Sequence, residues 1–399
     1  MASNSPKLTD SVQLPSNLDA TKTFYGIGIV GLIASAVGYF LNSDQFFFSY
    51  LASYTYFISF ALASLILVMI HHVTKSSWGT VMLRIPETFS RNIWIWAIFL
   101  LPVILGMSNL YQWTNTEYVA QDPIMLGKVP YLNEPFFVIR QIIYFAIWGY
   151  LGYRLHKVSV EMDKTNDWGL TALLRKLSAP GILVFSLTVA FASFDWLMSL
   201  DAHWFSTMFG VYFFAMSFQA LFPVLILMVF WFHKNGMLEN TIGKSHIYDL
   251  GAWFFGFTVF YAYIAFSQFL LIYYANIPEE TLWFYHRLEG TWAIITWMLL
   301  IGRFAIPFVL FLNRDRKHNR TLLGVVSVAI LILHYIEIHW IVMPVLHHDN
   351  FVLSWIDITT LVGLGGIFMG LFFSQLKKNN LVPVNDPTLP ESLEKSYHQ

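Results

Sequence analysis

The stretch Thr207–Phe232, TMFGVYFFAMSFQALFPVLILMVFWF, decides the fold. It contains no Asp, Glu, Lys, Arg or His, and it exceeds the ~20 residues that an α-helix needs to cross a ~30 Å hydrocarbon core. Working outward, similar stretches run from Phe24 to Leu41, Ser49 to His72, Asn92 to Asn109, Phe136 to Leu155 and Pro180 to Leu200 on one side. On the other they run from Asp249 to Ala275, Leu288 to Leu312, Thr321 to Val345 and Val352 to Leu376. The expectation is an all-α polytopic membrane protein with about ten transmembrane helices in a single membrane domain, residues 24–376. Polar tails at 1–23 and 377–399 flank it. The first span is the weakest, being short and carrying Gly26, Gly28, Gly31 and Gly38.

Composition leads to the same class. Of 399 residues 56% are hydrophobic and 12% charged, about half the charge of a soluble domain. The 37 Phe, 20 Tyr and 15 Trp exceed what a soluble core of this length needs. A net charge of −1 argues against nucleic acid, which requires a clustered basic surface. The chain has no cysteine, and so no disulfide, no thiolate-held iron–sulfur cluster and no C-x-x-C-H haem attachment. The amino terminus has no short apolar core followed by a cleavage site, and reads as a tail rather than a signal peptide.

Charge sets the expected orientation. Of the 23 Lys and Arg, all but Lys128, Arg140, Arg287 and Arg303 lie in the tails or around the loops after even-numbered spans. The positive-inside rule makes that side cytoplasmic, with both termini on it. The opposite loops carry Asp44, Glu117, Asp122, Glu134, Asp201, Glu279, Glu280 and the run His347-His348-Asp349.

The third and seventh spans end alike, in Ser108-Asn109-Leu110-Tyr111-Gln112-Trp113 and Ser267-Gln268-Phe269-Leu270-Leu271-Ile272-Tyr273-Tyr274. A Pro- and Glu-containing loop follows each, and the next helix carries an Arg near its start, Arg140 or Arg287. The fifth and ninth spans each hold a carboxylate in their outer half, Asp195 and Glu337. These matches suggest two related four-helix units, spans 2–5 and 6–9, flanked by spans 1 and 10.

An ionised group at bilayer depth costs about 2.5–3.5 kcal/mol on insertion scales, so each needs a reason. Asp195, His334, Glu337, His339 and Asp357 are candidates for a proton path, with Arg140, Arg287 and Glu289 as charge partners. His334 and Glu337, three residues apart, share a helix face, whereas His339 points elsewhere. A neutral His bonded to a protonated or Arg-paired Glu would instead tie helices together, and the same two readings compete for Asp195 and Asp357. Glu289 also suits a helix N-terminus. Haem b is disfavoured: His334 and His347 are separated by Pro344, and His233 and His246 by a loop. The run His347-His348-Asp349 reads as a polar turn more readily than as a metal site.

The hairpin Phe194-Asp195-Trp196-Leu197-Met198-Ser199-Leu200-Asp201-Ala202-His203-Trp204-Phe205-Ser206-Thr207 and the run Ser267-Gln268-Phe269-Leu270-Leu271-Ile272-Tyr273-Tyr274-Ala275-Asn276-Ile277-Pro278-Glu279-Glu280-Thr281 resemble the F subunit of bacterial alternative complex III. That complex is a quinol:cytochrome c oxidoreductase, and the subunit is similar to the quinol-binding membrane subunits of nitrite and polysulfide reductases. The resemblance covers nearly the whole chain. It implies a multi-pass subunit of a bacterial inner membrane, contributing quinone binding (menaquinone or ubiquinone type), a transmembrane proton path, or both. It implies as partners a homologous C membrane subunit, an iron–sulfur subunit and haem c subunits, which would hold the redox centres. A secondary transporter and a purely structural scaffold are the alternatives. A transporter would show helices interrupted at matching positions of its two halves, and Pro102, Pro223 and Pro307 do not match in that way.

Overall fold

The computed structural model describes residues 8–348 and 350–397. The outermost residues of both tails, and Asp349 of the expected polar turn, lie outside the described residues. Among the described residues ten helices are long and apolar enough to cross a membrane: α1 (Ser16–Leu41), α2 (Ser43–Thr74), α3 (Arg84–Leu105), α4 (Glu134–Thr165), α5 (Leu170–Leu200), α6 (Phe209–Lys234), α7 (Lys244–Ala275), α8 (Gly290–Leu312), α9 (Arg320–Val345) and α10 (Trp355–Leu376). Among the described residues there is no strand. The chain is a multi-pass, all-α membrane protein.

Helices α2 to α5 pack in a ring, each against the next and α5 back against α2; α6 to α9 close a second ring the same way. The rings meet along α2, which touches α6 and α9, and along the α5–α6 contact. The charge-free stretch in α6 and the adjoining α2 therefore occupy the centre, the most buried of the ten. Helix α10 packs on α2 and α1 packs on α10. This is the arrangement of two four-helix units with two outer helices. Both tails emerge on the Lys/Arg-rich face and touch there: Leu381 N–H donates to Val12 O at 2.6 Å, and Lys377 Nζ lies 2.8 Å from Asp19 Oδ2.

The glycines of α1 have a packing purpose. A Cβ on Gly31 would lie 2.5 Å from Gly363 N, and one on Gly366 would lie 2.3 Å from Gly28 N. The backbones of α1 and α10 touch, as small residues allow where lipid removes any hydrophobic drive between helices.

Two helices depart from regular α geometry. The expected third span from Asn92 to Asn109 begins earlier, at Arg84, and is broken near Asn92, Leu100 and Gly106. Arg84, expected as a loop cation, is fully buried. Pro102 falls next to the Leu100 break, where it removes an N–H from the ladder. Helix α8 contains a π-helical turn at Leu300–Ala305, with Pro307 just beyond it. Such wide turns recur at functional positions.

Candidate functional site

Among the described residues, four clusters of buried polar side chains within the bundle stand out. The first joins α4 to α5. Arg140 grips Asp195 with two nearly parallel bonds, Nε to Oδ2 at 2.9 Å and Nη2 to Oδ1 at 2.8 Å. The hydroxyls of Tyr131 and Tyr144 donate to the same carboxylate, each at 3.0 Å. Gln141 Nε2 adds a bond at 3.3 Å, and its carbonyl accepts from Trp196 Nε1 at 2.8 Å. Asp195 is fully buried, yet both oxygens are engaged. A carboxylate saturated in this way has little capacity left for a mobile proton.

The second cluster is the counterpart in the other ring. Arg303 of α8 pairs with Glu337 of α9. Tyr212 donates to Glu337 Oε1, as does Tyr261 at 2.6 Å. Again one arginine and two tyrosines surround a buried carboxylate. The sequence pairing of Arg287 with Arg140 needs correction: the residue equivalent in chemistry is Arg303. Its remaining donors are also satisfied, Nε and Nη2 by Gln219 Oε1 at 3.1 and 2.6 Å, and Nη2 by Met216 O at 3.1 Å. Local sequence explains the fit. Pro307 has no N–H to offer the carbonyl four residues earlier, which is that of Arg303. That carbonyl accepts from Gln219 Nε2 instead, at 3.1 Å.

His334 sits beside Arg303, with Nδ1 3.3 Å from Nη1. A guanidinium only donates, so Nδ1 is the acceptor and Nε2 carries the proton toward Ser59 Oγ at 3.0 Å. His334 and Glu337 do share a face, but Arg303 stands between them as the bridge.

Among the described residues Arg287 has no carboxylate within 4.0 Å; it caps α9. Its Nε and Nη2 donate to the carbonyls of Trp340 and Ile341 at 3.1 and 2.8 Å. Trp340 lies four residues before Pro344, so its carbonyl too lacks a helical N–H. A cation at this end also suits the helix dipole. The guanidinium stacks 3.6 Å from the Trp283 ring centroid. Glu289 is exposed and stands at the N-terminus of α8. Neither acts as a counter-ion within the bundle.

The third cluster surrounds Asp357, fully buried at the start of α10. Oδ1 accepts from Ser49 Oγ at 2.6 Å and Gln45 Nε2 at 3.4 Å, and Oδ2 from Ser354 N–H at 2.7 Å. Among the described residues no cation lies within 4.0 Å of it. Gln45 Oε1 in turn meets Nε2 of the half-exposed His347 at 2.7 Å. Hydrogen bonds thus run from Asp357 to the face opposite the tails. Deeper in, Ser53 Oγ meets Thr360 Oγ1 at 3.0 Å and the Tyr335 hydroxyl at 3.4 Å. His339 donates through Nε2 to Val352 O at 3.3 Å, leaving Nδ1 buried without a hydrogen bond.

The fourth cluster lies near the tail face and was not anticipated. Arg84 binds Glu87 and Asp163, both at 2.7 Å, and His72 and His156 each approach Glu87 to 4.0 Å. The sequence counted Arg84 among the loop cations after the second span, where a charge needs no explanation. The signal available was the pair of histidines closing α2.

The hairpin between α5 and α6 is held by loop contacts. His203 pairs with Asp122, whose carboxyl this hydrogen bond holds below its usual range. Lys128 Nζ donates to Ala202 O at 2.5 Å.

No protein-family model and no curated protein matches the chain.

Proposed function

We propose that this chain is an integral membrane subunit of a quinol-oxidising respiratory complex of the alternative complex III type, and that its part is to conduct protons at the face opposite the tails. The observation that carries this reading is the contrast among three buried carboxylates. Asp195 and Glu337 are each held by an arginine and two tyrosines, whereas Asp357 has only neutral donors and a link to His347. A carboxyl bonded only by neutral donors is not committed to a fixed charge partner, whereas one gripped by a guanidinium has both oxygens or its charge engaged. Quinol oxidation releases protons together with electrons. Asp357 and His347 are the two groups here that can take up and release a proton, with the Gln45 amide holding both in place between them, and the electrons would pass to iron–sulfur and haem c groups in partner subunits. The resemblance of the Phe194–Thr207 and Ser267–Thr281 motifs supplies the complex. A quinone bound by this chain would belong to the same face, which in this reading is the outer face of a bacterial inner membrane with both termini in the cytoplasm.

A transporter gains nothing from the broken helices. α3 and α8 occupy different positions in their rings, not the matched positions expected of paired substrate-binding helices. Gentle extraction of the tagged chain tests the proposal. Haem c and iron–sulfur proteins should copurify, and Asp357→Asn should preserve that assembly while lowering protons released per electron. A chain recovered alone without haem absorbance, or unchanged proton release in Asp357→Asn, overturns it.

A further inference from the structure

The tail face carries a cleft of about 480 Å³ between the start of α3, the end of α4 and the end of α10. Arg91, Lys157, Lys164 and Lys378 line it, with Glu161 the single acidic side chain. Among the described residues none of the four cations has a carboxylate within 4.0 Å. Gln375 and Asn379 add neutral hydrogen-bonding groups, and the floor is the buried His156. The general excess of Lys and Arg on this face would be satisfied by cations placed anywhere. Convergence on one cleft is a further property.

The second ring supplies the comparison. Its cleft at the same face, about 530 Å³, is lined by Lys244, Arg314 and Lys395 against Asp249 and Asp315. There the charges nearly balance, and Lys395 lies 3.7 Å from Asp249. The first cleft therefore sets four cations against one carboxylate, and the second three against two.

The surroundings indicate where the anion comes from. Tyr153 lines the cleft, and Tyr150 stands one helical turn further into the membrane on α4. Trp94 stands one turn beyond Arg91 on α3. Tyr150, Tyr153, Trp94 and Ile98 are all exposed, so an apolar, aromatic flank leads directly from the cleft toward the hydrocarbon. A free anion has no use for such a flank, whereas a phospholipid acyl chain does. Basic pockets between transmembrane helices at this level suit acidic headgroups.

We propose that this cleft is a binding site for an anionic phospholipid, its phosphate held by Arg91, Lys157, Lys164 and Lys378 and its acyl chain lying along Trp94, Ile98 and Tyr150. The site is independent of the proton route, being at the opposite face.

The test uses the full chain in detergent micelles mixed with phosphatidylcholine and phosphatidylglycerol, with native mass spectrometry reading the lipid retained. The wild type should hold phosphatidylglycerol in preference to phosphatidylcholine. Lys157→Gln with Lys378→Gln alters two exposed side chains and should leave folding intact, while weakening retention about fivefold per charge removed. Lys157→Arg with Lys378→Arg should retain it. Lys244→Gln with Arg314→Gln, in the balanced cleft, should leave retention unchanged. Equal loss in that control pair, equal retention of phosphatidylcholine, or displacement of phosphatidylglycerol by inorganic phosphate would each overturn the proposal.

Discussion

Removing the carboxylate from either arginine pair leaves a guanidinium buried with no counter-charge, and that is costlier than the pair is valuable. Breaking a buried ion pair from one side typically costs about 3–5 kcal/mol, because the remaining charge stays desolvated. Asp195→Asn, which keeps the shape but strands Arg140, should lower stability by about that much. Adding Arg140→Met to Asp195→Asn should restore part of it. Thermal unfolding in detergent measures both; a single variant as stable as the wild type would show that Arg140 escapes to the headgroups by snorkelling. The first pair was legible only in part: Arg140 could have served Asp195 or Asp357 or reached the headgroups, and spacing alone does not choose between them. The second was half legible. Glu337 stood out, but its partner depends on which carbonyls Pro307 and Pro344 set free, and so on a hydrogen-bond geometry that spacing alone does not reveal. The tyrosines were invisible for another reason: with 20 in the chain, none marks a site until its hydroxyl has an acceptor.

At the scale of elements, helix existence was plain and helix regularity was not. Hydropathy reports only that a segment suits lipid. It gave no warning that α3 begins at a buried arginine, or that α8 widens into a π-helical turn around Arg303. The glycines of α1 misled in the other direction: low intrinsic helix propensity made this span look weakest, yet those residues create its contact. Gly31→Val would push a branched side chain into the backbone of Gly363, where a Cβ alone already comes within 2.6 Å of the Cα atom. Overpacking of this kind costs about 1–3 kcal/mol, and here it is borne by one peripheral interface. A disulfide linking Ser35→Cys to Thr359→Cys, or whichever facing pair crosslinks in the parent, should form poorly once Gly31→Val is added, while α2 to α9 stay folded. Undiminished crosslinking would mean that the two helices are held together by something other than glycine contact.

For the whole molecule, the distribution of charge says more than its total. The chain is nearly neutral, but its cations crowd the face where both tails meet, and the loops between α3 and α4, α5 and α6, and α7 and α8 hold most of the exposed carboxylates of the other face. The positive-inside rule predicts that a bundle with this asymmetry inserts with the basic loops on the cytoplasmic side, because translocating Lys and Arg is disfavoured. The absence of cysteine makes the orientation directly measurable, since a single introduced cysteine is the only thiol. Glu117→Cys and Glu279→Cys, both exposed on the carboxylate-rich face, should react in intact cells with a membrane-impermeant maleimide. Lys234→Cys and Arg316→Cys, exposed on the tail face, should react only after the membrane is permeabilised. The reverse pattern would place His347 and the Asp357 network on the cytoplasmic side. A proton leaving by that route would then enter the cytoplasm, and the outward direction proposed for it would fail.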